Sequence, residues 1–381
     1  MSLLCTVVLG SLIREDPQQL PVVLAGQDGW NGFGYAQATH RAGGAIVAAG
    51  DGHWAGLLDR GRFAWTNDLK IWPNTFMFPS GDYTVPGDMA LVLTKKGRLV
   101  AGFVDGKSLG AHKSWVSDAE GMPKDLASKT YTSTSDDKGK TWSKPHMIQN
   151  QYCGAIRSMV QANDGSLLVA TTGLIPSVSR CMQYIYRSTD EGSGWKLVAT
   201  LDDQEARGDH DGFVEGSLTP LKGDGVLIVL RTCRGTLYQS KSANNGSTWS
   251  APTTTGIAAS SSPGTVLRLR SGRLVLAYNP ICPSGTDPGT IRKFTYPGSK
   301  RPSSWYRGEI YLRWSDDDAK TWSEPRLLLK HPQPDRTVGG SGIGYVQLVE
   351  PQPGLVWGNV FQGGEFVGAN GQFKFLEADL K

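Results

Sequence analysis

The sequence predicts an all-β protein folded as a six-bladed β-propeller. Three observations predict this fold: an octapeptide of pattern S-x-D-x-G-x-T-W recurs, short apolar runs each follow a glycine, and no strong helical pattern occurs. Repeats of this kind are typical of closed arrays in which each unit is one small sheet. Because no linker divides the chain, residues 1–381 are expected to form a single propeller domain.

The octapeptide is complete at 135–142, and its copies are spaced 53 to 73 residues apart. In a hairpin turn its aspartate can accept backbone hydrogen bonds, its glycine can adopt a positive φ, and its tryptophan can pack between units. A single reaction does not need the same turn five times, so the motif is interpreted as structural. The imperfect copies lie at 66–72, 188–195, 242–249 and 315–322.

Six short apolar runs, each preceded by a glycine, predict the second strand of each four-stranded unit. The glycines are Gly44, Gly97, Gly165, Gly225, Gly272 and Gly354. The last unit lacks the octapeptide, and the N-terminal strand Cys5–Leu9 is expected to close this last blade. Two polar insertions, 105–129 and 280–304, are expected to form loops at a rim, where propellers build binding surfaces.

Composition excludes several classes of function. The net charge is only +4 and no lysine or arginine block occurs, so a nucleic-acid partner is not expected. No apolar run of about 18 residues predicts a membrane span. Five cysteines and six histidines show no ligand spacing, so no metal and no cofactor are predicted, although one disulfide stays open. The apolar start is interpreted as a strand, and a secreted or periplasmic location is favoured if a leader has been removed. The oligomeric state stays open.

With these turns and runs, nearly the whole chain resembles the sialidase (neuraminidase) superfamily, whose BNR or Asp-box turns mark the blades of a six-bladed propeller. The turn motif is specific for the fold and weak for activity. The resemblance implies a tyrosine nucleophile, a glutamate that takes its proton, an aspartate acid/base and three arginines that clamp a carboxylate. A phenol has an ordinary pKa near 10, so it needs a nearby base to attack at neutral pH.

Three charged residues match this pattern by their position. Glu215 lies ten residues before the Gly225 run, and Arg231 ends that run. Arg307 lies eight residues before the turn at 315–322. A charge that ends an apolar strand needs a partner or an opening, and two guanidinium groups can each form a forked pair with a carboxylate. The resemblance therefore implies that Arg231 and Arg307 bind substrate and that Glu215 is catalytic.

The remaining catalytic positions fall on a tyrosine and an aspartate. Tyr345 lies nine residues before Gly354, where the resemblance places the nucleophile. Asp59 follows Gly44 by fifteen residues, where the acid/base aspartate would lie, and Asp51 competes for that role.

One family position departs from the pattern. The first clamp arginine is expected about ten residues before the first-blade glycine, and the segment 33–38 contains no arginine. Arg41 is interpreted as too late in the chain and as part of the turn. The departure leaves open another cation, such as Arg157 or Arg14, a substrate without a sialic-type carboxylate, or lost activity.

The resemblance favours a retaining glycoside hydrolase that cleaves a terminal acidic sugar from a glycan. A polysaccharide lyase acting on uronates is the alternative, since His53 or His112 could abstract a proton beside a carboxylate. A carbohydrate-binding propeller without activity is the third interpretation. Trp54, Trp115 and Trp305 could stack on sugar rings or pack the rim.

Overall fold

A computed structural model describes residues 17–28, 46–48, 54–59, 62–66, 74–77, 89–109, 127–178, 180–207, 211–287, 293–295, 303–336, 342–362 and 371–381. For 46–48, 54–59, 62–66 and 74–77 the description covers the backbone.

The regular structure of these residues is almost entirely β. In chain order the strands are β1 (Val23–Leu24), β2 (Ile46–Ala48), β3 (Trp54–Asp59), β4 (Arg62–Thr66), β5 (Asn74–Met77), β6 (Met89–Leu93), β7 (Leu99–Val104), β8 (Thr130–Ser135), β9 (His146–Gln149), β10 (Ala155–Gln161), β11 (Leu167–Ile175), β12 (Arg180–Ser188), β13 (Lys196–Asp202), β14 (Val214–Pro220), β15 (Val226–Arg231), β16 (Thr236–Ser242), β17 (Thr253–Ala258), β18 (Thr265–Arg268), β19 (Leu274–Tyr278), β20 (Glu309–Ser315), β21 (Arg326–Lys330), β22 (Ile343–Gln352), β23 (Leu355–Gln362) and β24 (Gln372–Leu376). Short 3₁₀ turns occur at Gly106–Leu109, Pro176–Val178, Pro334–Arg336 and Glu377–Asp379.

The strands form antiparallel four-stranded sheets, numbered here along the chain. The first to fifth sheets contain β2–β5, β6–β9, β10–β13, β14–β17 and β18–β21, each in sequence order. The sixth sheet has the order β22-β23-β24-β1, so its outermost strand comes from the N-terminal part of the chain.

The first strand of each sheet is innermost and touches the first strand of the next. These contacts run in turn through β2, β6, β10, β14, β18 and β22, and β22 touches β2 again. The apolar cores lie between successive sheets, because each cluster draws its buried side chains from two neighbours. The all-β propeller predicted from the sequence is therefore confirmed.

Burial explains which segments of the sequence became which strands. The second strand of a sheet is covered on both faces, and β15 is an apolar run that ends in Arg231 and whose residues are all buried. The outermost strand β13 is exposed or half-buried along most of its length. Uninterrupted apolar runs after a glycine therefore mark the strands that are packed on both faces.

The turn at 135–142 is held by its own side chains. Ser135 Oγ accepts the Gly139 N–H at 2.8 Å, and Asp137 Oδ1 accepts the Thr141 N–H at 2.8 Å. The hydrogen bonds from Thr141 lower the pKa of Asp137 to about 2. Gly139 has a φ of 83°, and Trp142 Nε1 donates to its carbonyl at 3.0 Å. In the turns at 188–195, 242–249 and 315–322, the Oγ of the first residue, a serine, likewise accepts the backbone N–H of the fifth residue.

The tryptophans of these turns pack between sheets. Trp195 packs on the core between the second and third sheets, Trp249 on that between the third and fourth, and Trp322 on that between the fourth and fifth. In the turn at 315–322, Ala319 replaces the glycine and keeps a positive φ of 58°. The shortened copy at 66–72 lies, apart from the end of β4, outside the described residues.

The N-terminal segment joins the fifth and sixth sheets. Val23 and Leu24 pair with Lys374 and Phe373 of β24. Leu20 N–H donates to the Leu327 carbonyl of the fifth sheet at 2.9 Å. The strand expected to close the last blade, Cys5–Leu9, lies outside the described residues.

Five of the six glycines precede the second strand of their sheet, as expected, and Gly44 does not. The prediction for Gly44 was wrong, because the run after it is β2, the innermost strand of the first sheet. In that sheet β2 pairs antiparallel with β3, so the chain reverses direction after β2 and not before it. The β2 run is apolar and follows a glycine although it is a first strand, so this pattern alone could not distinguish a first strand from a second one.

The topology separates the two ends of the sheets. The octapeptide turns join the third strand of a sheet to the fourth, so they lie at the end where the first strand finishes. The start of the first strand, the end of the second and the start of the third lie at the opposite end. The predicted insertions join second to third strands, β7 to β8 and β19 to β20, and so belong to that opposite end.

Cysteines 153, 181, 233 and 282 are buried, and within the described part of the chain they form no disulfide. No helix in the described part of the chain is long and apolar enough to span a membrane.

Candidate functional site

Three innermost strands carry a β-bulge near their start. In β10 the pairing shifts between Ile156 and Ser158, so Arg157 is the additional residue. In β14 it shifts between Val214 and Ser217, and in β22 between Gly344 and Gln347. The bulges in β14 and β22 contain Glu215 and Tyr345. A bulge redirects side chains that a regular strand would point into the sheet packing.

The backbone at two of these bulges is strained. Glu215 has a φ of 49° and Tyr345 a φ of 52°, values that residues other than glycine rarely adopt. Glycines beside them make close packing there possible. A Cβ on Gly216 would lie 2.5 Å from Ile228 Cδ1, and a Cβ on Gly344 would lie 2.7 Å from Arg307 Nη1.

Glu215 and Arg231 form a buried ion pair. Arg231 Nη1 donates to Glu215 Oε2 at 2.5 Å, and Arg231 Nε donates to Ser261 Oγ at 3.1 Å. Burial opposes ionisation of Glu215, but the charges of Arg231, Arg157 and Arg307 prevail and lower its pKa to about 2. Burial likewise opposes the charge of Arg231, and Glu215 raises the Arg231 pKa above its ordinary value.

The ring of Tyr345 has two guanidinium groups near it. Arg157 Cζ lies 4.8 Å from the ring centroid and Arg307 Cζ lies 5.1 Å from it, both within the range of a cation–π contact. Arg307 also forms a hydrogen bond with Tyr345, and its Nη2 donates to the Ser261 carbonyl at 3.3 Å. Burial lowers the pKa of Arg307, an effect that Tyr345 partly offsets and Arg231 increases.

The cluster carries more positive than negative charge. Three guanidinium groups face one carboxylate, and all four side chains are less than 10% exposed. Arg231 Nη2 and Arg307 Nε are buried and have no hydrogen-bond partner among the described residues. A cavity of about 110 Å³ adjoins Arg157 and Glu215 between the innermost strands of the third to sixth sheets. Buried cations with unused donors are suited to bind an anion.

The structure therefore brings together Glu215, Arg231, Arg307 and Tyr345, from the fourth, fifth and sixth sheets. Asp59 is the last residue of β3, and its side chain lies outside the described part, as does all of Asp51.

Arg157 is the residue whose place the sequence did not predict. It was only one of two candidates for an additional cation, and the other, Arg14, lies outside the described residues. A bulge in β10 brings Arg157 to Tyr345. Bulges leave no pattern in a single sequence, although a charged residue in the apolar run of β10 is a signal that could have found it.

The place of the first clamp arginine depends on which glycine marks the hairpin of the first sheet. The chain reverses between β2 and β3, and not at Gly44. In the sequence Arg41 precedes β2 by five residues. Counted back from Gly50 or Gly52, Arg41 is about ten residues upstream, where the family pattern expects an arginine. Arg41 itself lies outside the described residues.

Of the aromatic candidates, Trp305 is half-buried and lies 5.9 Å from Arg231 Cζ, measured to the ring centroid. The side chains of His53, His112, Trp54 and Trp115 lie outside the described residues.

The fold defines the class of the protein as a sialidase-like β-propeller. Within that class the chain belongs to the BNR repeat-like domain family, whose profile matches residues 87–357, more than two thirds of its length. A sequence comparison with curated proteins gives no match.

Solved structures of this fold resemble the chain over almost all its length. A protein of unknown function from Dyadobacter fermentans is 16% identical, with a TM-score of 0.61 and coverage of 94% of this chain and 97% of that one. The Hadza microbial sialidase Hz136 is 19% identical, with a TM-score of 0.60 and coverage of 92% and 69%. A variant of the NanB sialidase from Streptococcus pneumoniae is 12% identical, with a TM-score of 0.57 and coverage of 96% and 71%. At these identities the likeness concerns the fold.

Proposed function

We propose that the six sheets are the blades of a six-bladed ring and that the chain is a retaining, sialidase-like glycoside hydrolase. The observation that carries this proposal is the cluster of the half-buried Tyr345 with the buried Glu215, Arg231 and Arg307, at the starts and ends of strands around the axis. The membership of the family and the likeness of the fold to sialidases support it.

In the proposed reaction the phenol oxygen of Tyr345 attacks the anomeric carbon while the bond to the leaving oxygen breaks. Glu215 takes the phenol proton, and Asp59 protonates the leaving oxygen. Water then cleaves the glycosyl–tyrosine bond with the roles of these groups reversed, which retains configuration. A phenol suits an anionic sugar because a carboxylate nucleophile would repel it.

Because Glu215 is paired with Arg231, its strength as a base depends on whether substrate is bound. Glu215 is a weak base while Arg231 holds its pKa at about 2. An anionic group that binds Arg231 competes for the guanidinium and weakens its bond to Glu215. The pKa of Glu215 then rises toward its ordinary value, so that the base becomes stronger once substrate is bound.

The excess of cations indicates the class of substrate. Three guanidinium groups against one carboxylate suit a terminal sugar that bears a carboxylate, on a glycan. Sialic acid is the first candidate, because its carboxylate lies on the anomeric carbon that the tyrosine would attack.

The test is hydrolysis of a nitrophenyl α-glycoside of N-acetylneuraminic acid, with the anomer of the first product read by proton NMR. We expect release of nitrophenol and retained configuration. Incubation with a uronic-acid polysaccharide provides the contrast, since a rise in ultraviolet absorbance from an unsaturated uronate would assign the site to a lyase. Glycan binding without turnover on any substrate would favour a binding module.

The first clamp arginine of the family pattern has two candidates in this chain, Arg157 and Arg41. Substitution of each by methionine removes the charge while keeping most of the side-chain volume. We expect Arg157→Met to weaken binding of the anionic sugar by about 1.5–3 kcal/mol, the usual value of a hydrogen bond to a charged group. If Arg41→Met has this effect and Arg157→Met has none, the clamp follows the family pattern and Arg157 has another role.

A further inference from the structure

Buried side chains of the third sheet hold the bulge that carries Glu215. Thr172 Oγ1 accepts the Glu215 N–H at 3.0 Å, and Gln183 Oε1 accepts the Gly216 N–H at 2.7 Å. Gln183 Nε2 donates to the Thr171 carbonyl at 2.7 Å, which fixes the orientation of the amide. A bulge disrupts the ladder within its own sheet, so these two N–H groups are satisfied from the preceding one.

A second buried amide holds the segment that carries Tyr345. Asn279 directly follows β19 in the fifth sheet, and its Nδ2 donates to the Ile343 carbonyl at 3.0 Å and to the Glu309 carbonyl at 2.7 Å. Ser262 Oγ donates to Asn279 Oδ1 at 2.6 Å, which orients the amide. Ile343 is two residues before Tyr345 and Glu309 two residues after Arg307, so one side chain ties together the strands of both.

These side chains are placed where the backbone is least stable by itself. A positive φ at a residue other than glycine costs about 1–3 kcal/mol and persists only where the surroundings enforce it. Glu215 and Tyr345 both have such a φ. Thr172, Gln183 and Asn279 are at most 1% exposed, so their hydrogen bonds face no competition from solvent.

We propose that Thr172, Gln183 and Asn279 are positioning residues, which set the place of Glu215 and Tyr345 through the backbone of the two bulges. This inference rests on the proposed function for the roles of Glu215 and Tyr345 in a reaction. The positions of Glu215 and Tyr345 that these side chains set can be measured in a structure, whatever reaction the protein catalyses. Thr172 bonds the strained Glu215 itself, and Gln183 and Asn279 bond backbone groups one and two residues from Glu215 and Tyr345.

Adjacent threonines provide a matched test. Thr171 and Thr172 are both fully buried on β11, and each hydroxyl makes one side-chain hydrogen bond. Thr171 Oγ1 donates to Gln149 Oε1 at 2.6 Å and does not contact the bulge, so Thr171→Val is the control. Thr172→Val removes only the acceptor for the Glu215 N–H, and Thr172→Ser restores it.

Crystal structures and kinetics of these variants are then compared. In Thr172→Val we expect Glu215 to leave its positive φ and the Arg231–Glu215 contact to lengthen. We expect kcat on the nitrophenyl sialoside to fall by about 10²-fold, as for a misplacement of about 1 Å, with a much smaller change in KM. Thr172→Ser and Thr171→Val should keep both the wild-type geometry and the wild-type kcat. Gln183→Met and Asn279→Leu should act as Thr172→Val does.

The outcomes separate the two proposals. An unchanged bulge and unchanged kcat in Thr172→Val and Gln183→Met would overturn the positioning role and leave the hydrolase intact. Equal losses of kcat in Thr171→Val and Thr172→Val would also overturn it, because the effect would be one of stability. A wild-type protein without turnover would overturn the hydrolase, and the geometry of Glu215 in the variant crystals would still decide the positioning role.

Discussion

Glu215 is a carboxylate with almost no contact with water, and it is charged because arginines surround it. Its closest partner, Arg231, is buried as deeply. Two charges in such a place cost several kcal/mol each to desolvate, and their attraction offsets this only with good geometry. A chain that needed stability alone could place apolar side chains there. The pair therefore supports the ligand-binding role that we propose for this cluster.

The Glu215 ion pair makes stability depend on pH in the acid range. The pKa of Glu215 is lowered from 4.5 to about 2, so its contribution is fully present above about pH 4.5 and is lost as the pH falls toward 2. We expect wild-type protein to lose about 3 kcal/mol more than Glu215→Gln over this interval. Urea unfolding at several pH values measures the difference. Parallel curves for the two proteins would show that Glu215 titrates normally when folded.

Removal of the Tyr345 hydroxyl is expected to separate activity from stability. Tyr345→Phe keeps the ring near Arg157 and Arg307, so the cation–π contacts remain. Because the hydrogen bond to Arg307 is lost, we expect a modest fall in melting temperature, while kcat on the nitrophenyl sialoside falls by at least about 10³-fold, as for loss of a nucleophile. Retention of most activity would assign the attack to another group.

Single residues of the cluster could be predicted to different extents. Glu215 and Arg231 are visible because a charge at the edge of an apolar run is rare, and their spacing follows from the hairpin that joins β14 and β15. The place of Arg157 depends on one additional residue in a strand, which changes no pattern of the sequence. The strain at Glu215 and Tyr345 was equally hidden, since the neighbouring glycines do not themselves have the positive φ.

At the scale of elements, the turns show how one motif tolerates exchange. In the turn at 242–249, Gly246 has a φ of 80°, and a Cβ there would lie 2.5 Å from Leu168 of the neighbouring sheet. In the turn at 315–322 the same position holds Ala319, whose methyl group is buried between the fourth and fifth sheets. The glycine is therefore required where the next sheet is close, and only preferred elsewhere.

Gly246→Ala is expected to destabilise the protein by about 2–4 kcal/mol, combining backbone strain with the contact to Leu168. Gly97→Ala is the control, because Gly97 has a similar φ of 86° and no atom near its missing Cβ. It should cost only the strain, about 1–2 kcal/mol. Chemical denaturation measures both free energies of unfolding. Equal costs would show that the neighbouring sheet adjusts to the methyl group.

At the scale of the whole molecule, the two ends of the described chain meet at the sixth sheet. The segment around Leu20 pairs with the fifth sheet and β1 then covers the edge of β24. Leu20 is 2% exposed and belongs to the core between these two sheets. An uncovered edge strand can pair with other chains, so this segment also protects the ring from aggregation.

Leu20→Ala is therefore expected to cost about 2–5 kcal/mol, as for a buried leucine. Leu376→Ala provides the control on β24, because Leu376 is 50% exposed and should change stability by no more than about 0.5 kcal/mol. The melting temperatures of both variants measure the contrast. A neutral Leu20→Ala would mean that the segment lies on the ring without stabilising it.

The repeats made the propeller predictable, because each turn and each buried strand leaves its own mark on the sequence. The first sheet was less predictable. Its innermost strand, Ile46–Ala48, follows glycines and is apolar, which is also the mark of a second strand. The contribution of Val23–Leu24 to the sixth sheet could not be located, since two residues are too few to show a periodicity.

The bulges in three innermost strands have a consequence for how such sites diversify. Strands that surround one axis are equivalent by rotation, so a charge can reach the same ligand from the third sheet or from another. To supply the charge from a different sheet, that sheet's innermost strand needs an arginine and one inserted residue, and the rest of the ring needs no change. In the proposed function, Arg157 on β10 is a charge supplied in this way. Related propellers can therefore keep the charge that a ligand meets while changing the strand that supplies it.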